Sequence, residues 1–511
     1  MLALLCATVA HAAQVAVEKP LGAVAEQIRE QVERWRIVDT GVDALSEQHG
    51  AMVAFYEQRQ FTPAWIRPDN VDQLLGALHA IADDGLNPED YALGELHRQR
   101  TVLEDPQATP QQRARFDVLA TEACLTALVH LYNGKVDPAT LDTQWNFDPR
   151  QIDQAKGLDV VRDALLHGTV TSLFARARPQ DPMYAQLRTA LAKLREVAVH
   201  GGWPLLDDGP TLKPGNHDPR VPTLRQRLKL AGYAVGEGDN DLYDPALEEA
   251  LKQFQREYFL TEDGYLGKAS LAALNVPVAA RIDQLRANLE RARWLLHELR
   301  GEFVMVDIAG YRVTYFKDGK PVWHSRVQVG TPYRRTPVFK SQINYLTFNP
   351  TWTIPPGILK NDILPKVRKN PDYLAANRIR VLDSQGRAVS PASVNWANPR
   401  GVVLRQDAGP GNALGRLVIR FPNNYLVYLH DTPHQRLFDR AQRTFSSGCI
   451  RVEKSRALAE LLLDDPKAWN QSQIDRAIDT LKTQTVMLRK PVPLLLAYWT
   501  VDVQADDRVS F

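Results

Sequence analysis

The spacing of apolar residues divides the chain into a helical part and a β-rich part. From about Val42 to Val199 the apolar side chains recur at helical intervals. Met52, Phe55 and Tyr56 stand at i, i+3, i+4, as do Leu74, Leu75, Leu78 and Ile81, then Leu125, Leu128 and Val129. Turn-forming runs such as Asp84-Gly85-Leu86-Asn87-Pro88 and Glu104-Asp105-Pro106 separate these stretches. Cys124 falls inside one of them and reads as a small core residue. Residues 42–200 therefore predict a helical scaffold without chemistry of its own. Leu205 to Pro219, rich in Gly, Pro and Asp, reads as a linker. A small three-helix unit follows over 217–277. It begins with Val221, Leu224 and Leu228, continues from Tyr243-Asp244-Pro245 into a helix carrying Leu247, Leu251 and Phe254, and ends in a short helix at Leu274-Asn275. Arg281 to Arg300 predicts one more helix.

At Phe303 the period changes to two: Val304, Val306 and Ile308 alternate with Met305 and Asp307. Further strands are predicted at Val322–Val329, Tyr345–Phe348, Val402–Leu404, Leu417–Phe421 and Tyr425–His430. The last two read as a hairpin through Pro422-Asn423-Asn424. The polar, Lys- and Asn-rich insertion at about 356–400, helical in character over Gly357–Asn377, has the size of a lid or of a long surface excursion. Tyr498–Val503, in a C-terminal segment 489–511, reads as a strand. The predicted class is multidomain α+β, with the β-rich domain at 302–488.

Composition narrows the field. A chain of 511 residues exceeds one domain of about 150 residues. With 62 Lys+Arg against 60 Asp+Glu, the net charge of +2 provides no global field for nucleic acid. No apolar run approaches the roughly 20 residues that span a bilayer, so no transmembrane span is expected. Residues 1–13 read as a signal peptide: Leu2 to Ala10 is apolar and Ala10-His11-Ala12 suits a signal peptidase, although no Lys or Arg precedes the run. Three cysteines are too few for a disulfide scaffold.

Candidate chemistry concentrates in one stretch, Tyr425 to Val452. By period two, Leu426, Tyr428 and His430 share one strand face, which puts an imidazole at the strand's end. Cys449 follows Ser446-Ser447-Gly448 and precedes a helix expected from about Lys454. A thiol beside an imidazole and near a helix N-terminus would have a lowered pKa. The backbone amides around Gly448 and Ser447 could then hold an oxyanion. This constellation suits acyl transfer through a thioester. The alternative is a buried Cys449 with His430 as a hydrogen-bonded strand terminus. Without a Cys-x-x-Cys pair, zinc is a poor reading.

These residues closely resemble the signature of the L,D-transpeptidase catalytic domain family, a strand-end His followed by Ser-x-Gly-Cys-x-Arg. Here they are His430 and Ser446-Ser447-Gly448-Cys449-Ile450-Arg451. Val329-Gly330-Thr331-Pro332 with Thr336-Pro337, Asn349-Pro350-Thr351-Trp352, and Gly411-Asn412-Ala413-Leu414-Gly415 also fit, so the resemblance covers about Glu302 to Leu488. The three-helix unit resembles the peptidoglycan-binding domain family through LRQRLKLAGY, FQREYFLTEDGYLG and LAALN. Together with the helical scaffold, these resemblances suggest a large periplasmic L,D-transpeptidase of Gram-negative type. Many members of the wider family carry a His where Ser447 stands, and no role for that second His is carried over.

The resemblance implies a peptidoglycan-remodelling acyltransferase that needs no cofactor. Cys449 would take the acyl group of a tetrapeptide stem as a thioester, with release of D-Ala. His430 would act as base and then acid, and a neighbouring stem's amine would complete a 3→3 cross-link. Gly448 and Ser447 are expected at the oxyanion. Arg451, Ser446, Tyr428, Trp352 and Asn412 are expected around the substrate. Partners would be stem peptides and glycan strands, with carbapenem-type β-lactams as inhibitors. Two rivals are a cysteine peptidase that hydrolyses wall peptides and a non-enzymatic peptidoglycan-binding protein. The His-before-Cys order argues against papain-like enzymes.

Overall fold

The computed structural model describes residues 21–35, 47–141, 145–147, 150–238, 240–297, 299–504, 506 and 508–511. The export reading at 1–13 lies outside them. No helix among the described residues is long and apolar enough to cross a membrane. The chain forms two compact units. One comprises residues through Asp137 with 148–202 and 277–298; the other comprises 138–147, 203–276 and 299–511.

The first unit is helical, and its longest helix is Pro110–Asn133. That helix opens with a reciprocal cap between Thr109 and Gln112, with Pro110 in the first turn, where its missing N–H costs nothing. Its inward face carries Ala114, Ala120, Cys124 and Leu131. Burial pushes the Cys124 thiol up to about 12, so it acts as a small hydrophobe. Buried Asp117 sits on the same face and accepts from the amides of Ala64 (2.8 Å) and Trp65 (2.8 Å) and from the Tyr56 hydroxyl (2.8 Å). It therefore ties an otherwise orphaned turn to the helix.

In the second unit the helices Val221–Leu230, Pro245–Glu257 and Lys268–Leu274 enclose Val221, Leu224, Leu228, Leu247, Leu251, Phe254 and Leu274. Buried Gln255 saturates the Asp263–Tyr265 turn. Its Oε1 accepts from the Gly264 amide (2.8 Å), and its Nε2 donates to Asp263 Oδ1 (2.9 Å) and the Tyr265 carbonyl (3.0 Å).

The rest of this unit is built on a mixed sheet. Its strands are β1 (Trp145–Asn146), β2 (Phe303–Asp307), β3 (Arg312–Lys317), β4 (Lys320–Gly330), β5 (Val338–Phe348), β9 (Leu417–Arg420), β10 (Leu429–His430), β11 (Thr444–Ser446), β12 (Ile450–Val452) and β13 (Gln484–Ala497). They lie in the order β1-β5-β13-β2-β3-β4-β12-β10-β9, with β11 on β4, and β9 pairs back onto β5 to close the ring. Alternation sends Val304, Val306, Leu417, Ile419, Leu429, Ile450 and Val452 to one core. The helices Ser455–Leu463 and Gln471–Asp479 contribute Leu458, Leu462, Ile474 and Ile478 to it.

Several expectations need correction. The boundary expected at 488/489 falls inside β13, which runs antiparallel to β5 and parallel to β2 and so belongs to the sheet. The strand expected from Tyr425 begins only at Leu429, because Leu426 adopts a left-handed φ of 56°. The insertion is wider than 356–400. Its three-stranded sheet is β6 (Trp352–Thr353), β8 (Val402–Gln406) and β7 (Ile379–Asp383), with its own core of Ile354, Ile363, Val367, Leu374, Ile379, Val381 and Leu404. The C-terminal strand is β14 (Asp502–Val503), paired with β15 (Val509–Ser510); residues 498–500 are outside it.

Candidate active site

Three short strands assemble the site. β10 runs parallel to β12, with His430 opposite Arg451, and β12 runs antiparallel to β4, with Arg451 opposite Gln328. Since Leu429, Ile450 and Val452 face the core, the alternating Tyr428, His430 and Arg451 belong to the other face, whereas Cys449, just ahead of β12, packs against the core's edge. Cys449 lies two positions before the residue that pairs with His430.

The turn that carries the thiol is over-determined. Gly448 has φ +113°, and a Cβ there would come within 3.4 Å of the Arg335 carbonyl. Ser446 Oγ accepts from the Gly448 amide (3.1 Å) and donates to the Cys449 carbonyl (2.5 Å). Thr336 Oγ1 accepts from the Gly330 amide (2.9 Å) and donates to the Gly448 carbonyl (2.9 Å), which couples the Gly-Thr-Pro turn to the cysteine turn. Arg334 Nη1 donates to Ser447 Oγ (2.9 Å) and to Asp362 Oδ2 (2.6 Å), linking the turn to the insertion.

The imidazole is equally constrained. His430 Nδ1 lies 2.6 Å from the Asp431 carbonyl. A carbonyl only accepts, so Nδ1 carries the proton and Nε2 keeps its lone pair. The chain at Asp431 is gripped by the Gly415 turn: Arg416 N donates to Asp431 Oδ2 (2.9 Å), and Asp431 N donates to the Leu417 carbonyl (2.9 Å). Burial, the Arg451 charge and the Arg420 charge hold His430 down at about 3, against backbone hydrogen bonds at Asp431 and Leu414 that act the other way.

The thiol corrects the sequence reading. Burial raises its pKa above the ordinary cysteine range, against a backbone hydrogen bond at Tyr428 and the charges of Arg451 and Arg420. Its hydrogen bond goes to the Leu426 carbonyl at 3.8 Å, not to the imidazole. The helix expected to lower its pKa starts at Ser455, with β12 in between. The resting pair is thus a neutral thiol and a neutral imidazole.

The other candidates divide. Ser447 is exposed, whereas the Gly448 amide is already committed to Ser446 and is not free for an oxyanion. Ser446 and Asn412 are buried braces rather than substrate contacts. Asn412 Nδ2 donates to the carbonyls of Pro350 (3.1 Å) and Asp407 (2.9 Å), and its Oδ1 accepts from the Leu414 amide (2.8 Å). Trp352 packs against the insertion's core. Arg451 donates to Gln328 Oε1 (3.1 Å). Tyr428 lies under the guanidinium of Arg420, 4.3 Å from the ring centroid. Sequence reading missed Arg420; only alternation in β9 placed it on this face. Among the described residues no group of three His, Cys, Asp or Glu side chains is arranged to hold a metal ion.

Three segments of the chain match known protein families. Residues 301–480 match the L,D-transpeptidase catalytic domain, 217–274 match a family described as "Putative peptidoglycan binding domain", and 50–191 match a scaffold domain. A protein of Haemophilus influenzae named "Putative L,D-transpeptidase" is 37% identical over 230 residues, which are 44% of this chain and 46% of that protein. The chain thus spans about half the length of this curated relative. Among solved structures, an L,D-transpeptidase from Stackebrandtia nassauensis is 13% identical, covering 57% of this chain and 96% of its own, with a TM-score of 0.23. One from Xylanimonas cellulosilytica is 14% identical, covering 57% and 99%, with a TM-score of 0.18. Residues 301–480 are thus similar to an L,D-transpeptidase catalytic domain, in one chain with segments that match a scaffold domain and a peptidoglycan-binding domain.

Proposed function

We propose that this chain is a peptidoglycan L,D-transpeptidase acting through a thioester on Cys449. The observation that carries the reading is a half-buried thiol just ahead of the strand that pairs with β10, whose imidazole has its Nδ1–H fixed by a backbone carbonyl. A neutral thiol cannot attack an amide unaided. Its proton passes to His430 Nε2 as the sulfur adds to the acyl carbon of the stem's third residue. The tetrahedral oxyanion is held by the amide of Cys449, with that of Ser447. His430 returns the proton to the D-Ala nitrogen as the C–N bond breaks. The side-chain amine of a second stem's diamino acid then attacks the thioester, gives the 3→3 link and restores the thiol.

The neutral resting pair suits this order, because charge separates only when substrate has excluded water. The three-helix unit, by its family, supports binding to glycan strands, and the whole supports an extracytoplasmic, periplasmic location. Carbapenem-type β-lactams would acylate the same sulfur.

Intact mass of the protein after incubation with tetrapeptide tests the thioester. The wild type gains the acyl mass with release of D-Ala, and Cys449→Ala gains nothing while keeping its circular dichroism. An adduct on the alanine variant, or none on the wild type, refutes the proposal. Adding an acceptor stem separates transfer, which gives cross-linked dimers, from hydrolysis.

A further inference from the structure

Two guanidiniums flank the reactive pair, and neither has a carboxylate partner among the described residues. Arg451 has only the neutral amide of Gln328 for one of its nitrogens, and its buried Nε has no hydrogen-bond partner. Arg420 ends β9, which runs antiparallel to β10 with Ile419 opposite Leu429; one step further along, Arg420 lies beside Tyr428. Its neighbours Leu417 and Ile419 point into the core, so Arg420 projects to the face that carries Tyr428 and His430. There it stacks on the Tyr428 ring at 4.3 Å, a contact that fixes a guanidinium without neutralising it. A cation held this way, without a protein counter-charge, is arranged to receive one from outside. The charge reaches both reactive groups: it acts on the Cys449 thiol and on the His430 imidazole.

We propose that Arg420, held on Tyr428, is a positioning residue that binds a carboxylate of the donor peptide within one residue of the scissile amide. The site thereby selects anionic donors over amidated ones. The proposal builds on the thioester reading, but its first test does not depend on it. Cys449 displaces iodide from iodoacetamide, which is neutral, and from iodoacetate, which is anionic. The ratio of the two rates cancels any change in thiol pKa and reports only the attraction of the anion.

Arg420→Gln should lower the iodoacetate-to-iodoacetamide ratio about fivefold, the effect of one partly screened charge, and Arg420→Lys should keep it within about twofold of wild type. An unchanged ratio in the glutamine variant overturns the proposal. So does an equal fall in the lysine variant, which would mean that stacking rather than charge matters. A second arm uses tetrapeptides amidated either at the terminal carboxyl or at the diamino acid carboxyl. Arg420→Gln should raise KM about tenfold for the free peptide. It should add nothing for the analogue that lacks the recognised group, which identifies that group. A KM effect equal for all three peptides refutes recognition of either carboxylate. If no peptide acylates the protein, the thioester reading fails and the alkylation ratio still decides on Arg420.

Discussion

Gly415→Ala should disable the imidazole without touching it. At φ +66°, an alanine carries about 1–2 kcal/mol of left-handed strain. Its Cβ would also lie 2.5 Å from the carbonyl carbon of Asp431 and 2.5 Å from that residue's Cβ. Ordinary contact begins near 3.4 Å, so the chain at Asp431 must retreat by about 0.9 Å, and the carbonyl that retreats is the one fixing His430 Nδ1. A reacting group displaced by about 1 Å costs on the order of 100-fold in rate. Gly411→Ala provides the control. It has φ +81° in the same loop and nothing within 4 Å of its Cβ, so it carries the backbone strain without the collision. Stopped-flow acylation by tetrapeptide or a carbapenem should show Gly415→Ala slowed about 100-fold and Gly411→Ala slowed less than about 3-fold. Both variants should lose about 2–8 °C in the melting of the catalytic unit. Equal acylation rates in the two variants would show that the Gly415 turn does not position His430.

Two further outcomes are expected. Asp117→Ala leaves the Ala64 and Trp65 amides without an acceptor in the first unit, and should destabilise it by about 3–5 kcal/mol. Urea unfolding followed by labelling of the released Cys124 measures this, and a loss below about 1 kcal/mol contradicts the bonding described. The second outcome concerns pH. The folded pKa of His430, about 3, lies below the ordinary 6.5, so the unfolded chain binds the proton more tightly. Its contribution is complete above pH 6.5 and is lost as pH falls toward 3, amounting to about 2 kcal/mol between pH 7 and 5. Buried Asp307, raised to about 7, acts with the opposite sign in the same window, so the test is the difference between wild type and His430→Asn. Their stabilities should converge by about 2 kcal/mol on going from pH 7 to 5. Parallel curves would mean that His430 is not held neutral by burial.

Helices, the three-helix unit and the alternation from Phe303 onward are all readable in the sequence, and its motif singles out His430 and Cys449 as candidates. Each follows from local periodicity or from a short motif, and a side chain's face follows from its parity along a strand. What meets on that face does not. Arg420 and Tyr428 touch because two short strands pair in one register, and Leu426 offers its carbonyl to the thiol because it takes a left-handed turn that ends the strand early. Ser446 and Asn412 are polar and sit in the family's motifs, so they read as substrate contacts. Tertiary structure buried them, and buried polar atoms must satisfy one another before they can serve a ligand. The same burial raised a thiol that the motif suggested would be ionised. Sequence alone singled out the candidate atoms, whereas packing decided their charge, because desolvation depends on neighbours that are distant along the chain.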